Sequence, residues 1–423
     1  MKQDFILKGH VLYSRTQAEL SVTENGYLVC LDGKSAGVFR EIPEKYAGLP
    51  ATDCGDRLIV PGLVDLHVHA PQYAFRSVGM DRELLDWLNT YTFPEESRYA
   101  DLEYAGRAYD LFVRDLTRGA TTRACIFATM HREATGLLMR KLDASGLQTR
   151  AGKVNMDRNS PDTLREESAA VSLADTRKWL EEVADLKRCS PILTPRFTPS
   201  CTDALMQGLG RLQRETGLPV HSHLSENLGE IEWVKELCPD TRFYGEAYSK
   251  FGLFGENGPC VMAHCVHCPD EETNLMRKNG VFIAHCPQSN ANLSSGVAPV
   301  RRYLELGLHV GLGTDVAGGA HLSVFRALTD AIAVSKLRWR LLDDSLTPLA
   351  FAEAFWLATM GGGAFFGKVG SFEEGFAFDA LVLDDSALPS PRVLGTQERL
   401  ERIAYQLEDR AVIHKYVNGE KIF

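Results

Sequence analysis

The stretch LIVPGLVDLHVH, residues 58–69, decides the fold. It is apolar almost throughout and ends in two histidines spaced two apart. That is the texture of a strand buried on both faces that delivers polar side chains at its C-terminal end. Comparable segments follow: GATTRACIF (119–127), RAGKVNMD (150–157), SPILTPRF (190–197), LPVHSHLSE (218–226), CVMAHC (260–265), VFIAHCP (281–287) and HVGLGTD (309–315). Longer amphipathic stretches separate them, such as 174–188, where Trp179, Leu180, Val183 and Leu186 recur at helical spacing. Eight buried strands alternating with helices predict an α/β fold, a parallel (β/α)8 TIM barrel with an insertion after its first strand.

The pattern changes at both chain ends. Residues 1–57 read as short strands with Asn25-Gly26 and Asp32-Gly33 as hairpin turns. Residues 376–384 and 414–423 return to strand alternation around Asn418-Gly419. The expected organisation is a catalytic barrel over 58–370 and a small β-sandwich built from 1–57 and 371–423.

The chain of 423 residues carries 46 basic and 56 acidic side chains, a formal charge of -10. Its basic residues occur in pairs such as Arg301-Arg302 and never grow into the patch that phosphate binding needs, so nucleic acid is not an expected partner. No run approaches 18 apolar residues, so no membrane partner is expected. The opening MKQDFILKGH lacks the apolar core of a signal peptide, and the expected location is the cytoplasm. Ten cysteines are too sparse for a disulfide framework, and Cys30, Cys125, Cys260 and Cys286 sit in apolar runs where a reduced thiol packs. These features favour a small-molecule substrate.

The chemistry is read from strand ends, because the C-terminal face of such a barrel is where active sites are built. His67 and His69 share one face of the first strand and form a metal clamp. On the fifth strand His221 and His223 share a face; His223, nearer the C-terminal end, is the expected ligand and His221 a deeper core residue. Glu226 lies just past that strand, where a carboxylate can meet a substrate, although an acid in the first turn of a helix has a dipole-based reason to be there as well. His264 ends the sixth strand and Asp315 the eighth, and a buried aspartate needs a partner or a cation. Three imidazoles and a carboxylate suit Zn2+ or Fe2+ with an open position for water. Such a cation lowers the pKa of water from about 15.7 toward about 7. Asp315 is the expected acceptor of the water's proton, Glu226 the shuttle to the ring, and His264 the group that orients the nucleophile. The fourth strand ends in Pro195-Arg196-Phe197, with no lysine to bridge two metals, so one metal is expected.

The motifs PGLVDLHVHAPQY (61–73), LLDWLNTYTFPEE (84–96), TPRF (194–197), HSHLSENLGEI (221–231), MAHC (262–265), AHCPQSNANLSSG (284–296) and GLGTDVAGG (311–319) resemble those of the guanine deaminases, within the amidohydrolase superfamily. The likeness spans essentially the whole chain. It implies a barrel enzyme that hydrolyses guanine at C2 to xanthine and ammonia in purine catabolism, as a homodimer with one zinc per subunit. Residue by residue it implies His67, His69, His223 and Asp315 as ligands, Glu226 as proton shuttle, His264 beside the water, and Gln72, Arg196 and Phe197 as guanine contacts. Arg and Gln donors suit the O6 and N7 acceptors of guanine, and Phe197 either stacks on the ring or fills the wall. The insertion with Trp87, Tyr91 and Phe93 is read as a lid or a dimer contact. Trp87, His223 and His285 complete the expected substrate set.

Other signals carry less. The Cys265-x-x-Cys268 pair has no second pair, His131-x-Glu133 lacks the Pro-Cys-x-x-Cys of the other zinc deaminases, and Gly362-x4-Gly367-Lys368 is followed by Val369 rather than Ser or Thr. The competing functions are an amidohydrolase acting on another purine, cytosine or an s-triazine, and a non-catalytic scaffold relative. A scaffold relative would be expected to have lost a ligand or Glu226, and all are present.

Overall fold

The computed structural model describes residues 4–423, so the first three residues of the expected 1–57 segment lie outside it. Its strands, in chain order, are β1 (Phe5–Ser14), β2 (Leu20–Leu31), β3 (Lys34–Phe39), β4 (Ala51–Pro61), β5 (Leu63–His69), β6 (Thr121–Phe127), β7 (Gln148–Gly152), β8 (Val154–Asn155), β9 (Cys189–Pro191), β10 (Thr194–Pro195), β11 (Val220–Leu224), β12 (Cys260–His264), β13 (Phe282–His285), β14 (His309–Leu312), β15 (Ala380–Leu383), β16 (Val412–Val417) and β17 (Glu420–Lys421).

Two parallel runs, β5-β6-β7-β9 and β11-β12-β13-β14, make the central sheet, with the short pair β8-β10 extending its third and fourth positions. Backbone hydrogen bonds close both seams. At one, Leu193 N–H donates to Pro219 and the Leu193 carbonyl accepts from His221, each at 2.9 Å. At the other, Asp315 N–H donates to the His67 carbonyl at 2.8 Å and His69 N–H to the Val316 carbonyl at 3.1 Å. The seam is therefore made by residues of the expected metal site, which ties their spacing to closure of the barrel.

The first segment departs from the sequence reading. The apolar run 58–69 is two strands: β4 continues to Pro61 in the small sheet and β5 begins at Leu63. Gly62 makes the crossing, where a Cβ would sit 2.2 Å from the Thr122 side chain. An apolar run carries no mark of this division because both halves are buried. The helix expected over 174–188 runs Ala169–Glu182 instead, started by the Ser168 hydroxyl capping the Val171 N–H.

Seven strands from both chain ends form one sheet in the order β17-β16-β15-β4-β1-β2-β3. The layers of the expected sandwich are two parts of this sheet, which rolls over on itself. Although β15 and β4 lie between them, the rings of Phe5 on β1 and Tyr416 on β16 are 5.4 Å apart, and Gly419 approaches Gly33. A helical stretch, Thr396–Arg402 and the turns after it, interrupts the C-terminal strands and packs Leu400 and Ile403 against the barrel core. No helix among the described residues is long and apolar enough to cross a membrane.

Candidate active site

Strand pleat and strand ends deliver the expected side chains to one point. His67 and His69 project from the end of β5, His223 from β11, His264 from the last position of β12, and Asp315 from the loop after β14. The Nε2 atoms of His67 and His69 are 3.1 Å apart, those of His69 and His223 3.3 Å. Asp315 Oδ1 lies 3.2 Å from His67 Nε2 and 3.3 Å from His69 Nε2. His264 and Asp315 reach these positions in the left-handed backbone region, at φ 73° and 47°. That conformation is unusual for residues with a Cβ and is often retained at functional sites.

The donor set fits a cation. Ligand atoms about 2.0–2.1 Å from a tetrahedral centre lie about 3.3 Å apart, as these do. The His223 Nδ1–H donates to the Arg196 carbonyl at 2.7 Å, which leaves Nε2 as a bare lone pair. His67 Nδ1 meets His221 Nε2 at 2.8 Å, so the core histidine on the same face of β11 orients the first ligand. Phe127, at the end of β6, places its ring within 4.6–5.2 Å of the His67, His69, His221 and His223 rings and fixes their planes.

Beside this cluster, Glu226 Oε2 is 3.3 Å from His264 Nε2, Ser295 donates to Glu226 Oε1 at 3.0 Å, and Asn290 Oδ1 meets His264 Nδ1 at 2.9 Å. A cavity opens over these groups. Its wall includes His69, His223, Glu226, Glu230, His264 and Asp315 on the polar side, and Gln72, Arg196, Phe197 and Trp87 around it. Leu84 and Leu88 join Trp87, so the insertion contributes directly to the wall. Phe197 packs against Trp233 with ring centres 6.1 Å apart.

His285 stands behind the cavity wall. It ends β13 but does not line the cavity; it is fully buried within electrostatic reach of His264, and neither ring nitrogen has a protein partner. Glu96 is the main omission. Its carboxylate pairs with Arg196 and accepts from Gln72; the signal available was the acidic end of LLDWLNTYTFPEE, the motif quoted for its aromatics. Asp65 is another: it accepts from the N–H groups of His67 and Thr314 and from the Thr314 hydroxyl, locking β5 to the loop after β14.

The amidohydrolase family profile matches residues 58–422. The chain belongs to the amidohydrolase family. Among relatives of this amidohydrolase, guanine deaminase of Dictyostelium discoideum is 40% identical over 379 residues, covering 88% of this chain and 83% of that protein. Guanine deaminase of Escherichia coli is 34% identical, covering 96% and 92%. The solved guanine deaminase of C. acetobutylicum, with guanine bound in its active site, superposes with a TM-score of 0.96 at 47% identity, over 100% of each chain.

Electrostatics separate the polar groups of this amidohydrolase into roles. Burial depresses His67 to about 3 and holds His223 well below its usual range, so both are neutral and able to ligate. Burial raises Glu226 to about 7. For His264 burial works against the proton, but the Glu226 and Asp315 carboxylates outweigh it and the net shift is upward. Burial likewise opposes ionisation of Asp315, and the surrounding imidazoles overcome it, leaving its pKa well below the usual carboxylate range.

Proposed function

We propose that this chain hydrolyses guanine, a cyclic amidine, at C2: water adds, the C2–N bond breaks, and xanthine and ammonia leave. The observation that carries this reading is one cavity lined by a cation-ready His/Asp cluster, a protonatable Glu226 and the donors Arg196 and Gln72. The guanine deaminase relatives, one with guanine in its active site, support the same substrate.

His67, His69, His223 and Asp315 would hold a single Zn2+, with Fe2+ the alternative that elemental analysis distinguishes. A divalent cation there supplies Lewis acidity that makes water a competent nucleophile near neutral pH. The protein's own groups do the rest. Asp315 accepts a proton; Glu226, raised by burial, passes one to the ring and then to the departing amine. His264 holds the reacting oxygen's side of the cavity through its contacts with Glu226 and Asp315. Arg196 and Gln72 donate to the O6 and N7 edge, while Phe197, Trp87 and the His223 ring bound the purine plane.

The barrel, 58–370, carries the catalysis and the two chain ends brace it. The active form is a homodimer, and the location is the cytoplasm, consistent with buried thiols such as Cys125, Cys260 and Cys286 that form no disulfide. Incubating zinc-loaded protein with guanine and following ammonia release tests the function. Stoichiometric ammonia and xanthine are expected; turnover of cytosine or an s-triazine with none of guanine would replace the reading.

A further inference from the structure

Glu96 lies on the helix Phe93–Ser97 in the insertion and is 2% exposed. Its Oε2 accepts from Arg196 Nη1 at 2.5 Å, and its Oε1 from Arg196 Nη2 at 3.2 Å and Gln72 Nε2 at 2.9 Å. The Gln72 carbonyl end accepts the Ala317 N–H at 3.2 Å. These partners fix the amide's orientation, since the reverse pose would oppose two acceptor oxygens at Glu96 and two N–H donors at Ala317. Arg196 also lies over the Phe93 ring, 5.2 Å from its centre. A guanidinium has five N–H donors; two go to Glu96, leaving three. Glu96 is not in the cavity wall, whereas Arg196 and Gln72 are.

The pairing also sets charge. Among the described residues Arg196 has no other carboxylate within ion-pair distance. A bare buried guanidinium would attract anions; paired, it offers N–H donors with its charge cancelled. Glu226 and Glu230 stand elsewhere on the wall. A neutral ring thus finds donors, and an anionic ring finds no uncompensated cation from the protein side chains of this edge. Xanthine, with a second ring carbonyl, ionises more readily than guanine, so the same arrangement favours its departure.

We infer that Glu96 is the positioning residue that fixes the donor pattern and the charge of this wall, making the pocket selective for neutral over anionic rings. The inference rests on the proposed placement of a purine against Arg196 and Gln72. Its test compares zinc-loaded wild type, Glu96→Gln and Glu96→Asp for turnover of guanine and for inhibition by hypoxanthine and urate, which are respectively neutral and anionic at neutral pH. In Glu96→Gln, KM should rise about tenfold with kcat changed less than about threefold, the scale of losing a charge-assisted hydrogen bond. The urate-to-hypoxanthine ratio of inhibition constants should fall about tenfold as the guanidinium is uncovered. General loosening of the site would weaken both inhibitors and leave that ratio unchanged, so an unchanged ratio in a folded Glu96→Gln overturns the assignment.

Glu96→Asp keeps the charge and shortens the reach: a raised KM with the wild-type ratio is expected, and a wild-type KM overturns the positioning role even where Glu96→Gln does not fold. If wild type binds both rings and shows the ratio shift on substitution but leaves guanine unchanged, the substrate reading fails and the role of Glu96 stands.

Discussion

Glu226 keeps a proton up to about pH 7 because it is buried, and His264 stands 3.3 Å away to share it. A proton therefore has two homes on the wall where a ring nitrogen and a departing amine need it. Glu226→Gln preserves shape and the Ser295 contact but cannot shuttle. It should retain wild-type metal content, since Glu226 lies outside the His/Asp cluster, and lose about 10²–10⁴ in kcat. Elemental analysis beside an ammonia-release assay checks both halves, and activity within about threefold of wild type would remove Glu226 from the mechanism. At this scale much was legible in the sequence. His67, His69, His223, His264 and Asp315 follow from strand alternation and strand ends, both properties of local sequence. Those rules give a residue's depth in the barrel but not the space it faces, as His285, at a strand end but outside the cavity lining, illustrates. Glu96 meets Arg196 across 100 positions of chain, through the packing of an irregular insertion, and no periodicity encodes that contact.

Gly79 is a tightly constrained backbone position in the insertion between β5 and β6. Gly79 has φ 75°, and a Cβ there would sit 2.3 Å from the Tyr91 ring and 3.2 Å from that of Trp87. Trp87 in turn donates its indole N–H to the Val78 carbonyl at 3.1 Å and lines the cavity. Gly79→Ala combines backbone strain with a clash, so the aromatic wall must shift. KM for guanine should rise roughly three- to tenfold with kcat largely kept, because the insertion contributes wall contacts rather than proton transfer. Steady-state kinetics decide it, and an unaltered KM in the folded variant would mean that the insertion's aromatics do not hold the substrate. The order of barrel strands was readable from alternation of apolar and amphipathic segments. The passage at Gly62 from one sheet to another was not, because both sides of it are equally apolar. The helical stretch at 396–411 was missed as well, although Leu400, Ile403, Ala404 and Leu407 recur at helical spacing and pack on the barrel core.

Two buried basic side chains join the rolled sheet to the barrel. Arg123 of β6 pairs with Asp379 at 2.6 Å and donates to the Asn418 side chain at 2.8 Å. Lys415 of β16, 0% exposed, donates from Nζ to the carbonyls of Thr117 at 2.6 Å, Thr121 at 2.9 Å and Leu116 at 3.3 Å. Burial lowers the Lys415 ammonium from its usual 10.5 to about 7, with the Asp409 carboxylate opposing the fall. Between those values the unfolded chain binds a proton that the folded chain does not, so this residue makes stability rise with pH. Its penalty is fully present below about pH 7 and gone above about 10.5. Lys415→Met removes the titration, and with it the penalty wild type carries near and below neutral pH, and leaves three carbonyls without their donor, a loss of about 1–3 kcal/mol that stands alone only at high pH. Urea unfolding of both proteins at several pH values from 7 upward reads the effect, with Asp409, whose carboxylate faces Lys415, the coupled group that also responds to the substitution. The stability of wild type relative to Lys415→Met should rise by a few kcal/mol between pH 7 and 10. A constant gap across that range would mean that Lys415 stays charged in the fold, and that the sheet is tied to the barrel by an ammonium rather than by a neutral amine.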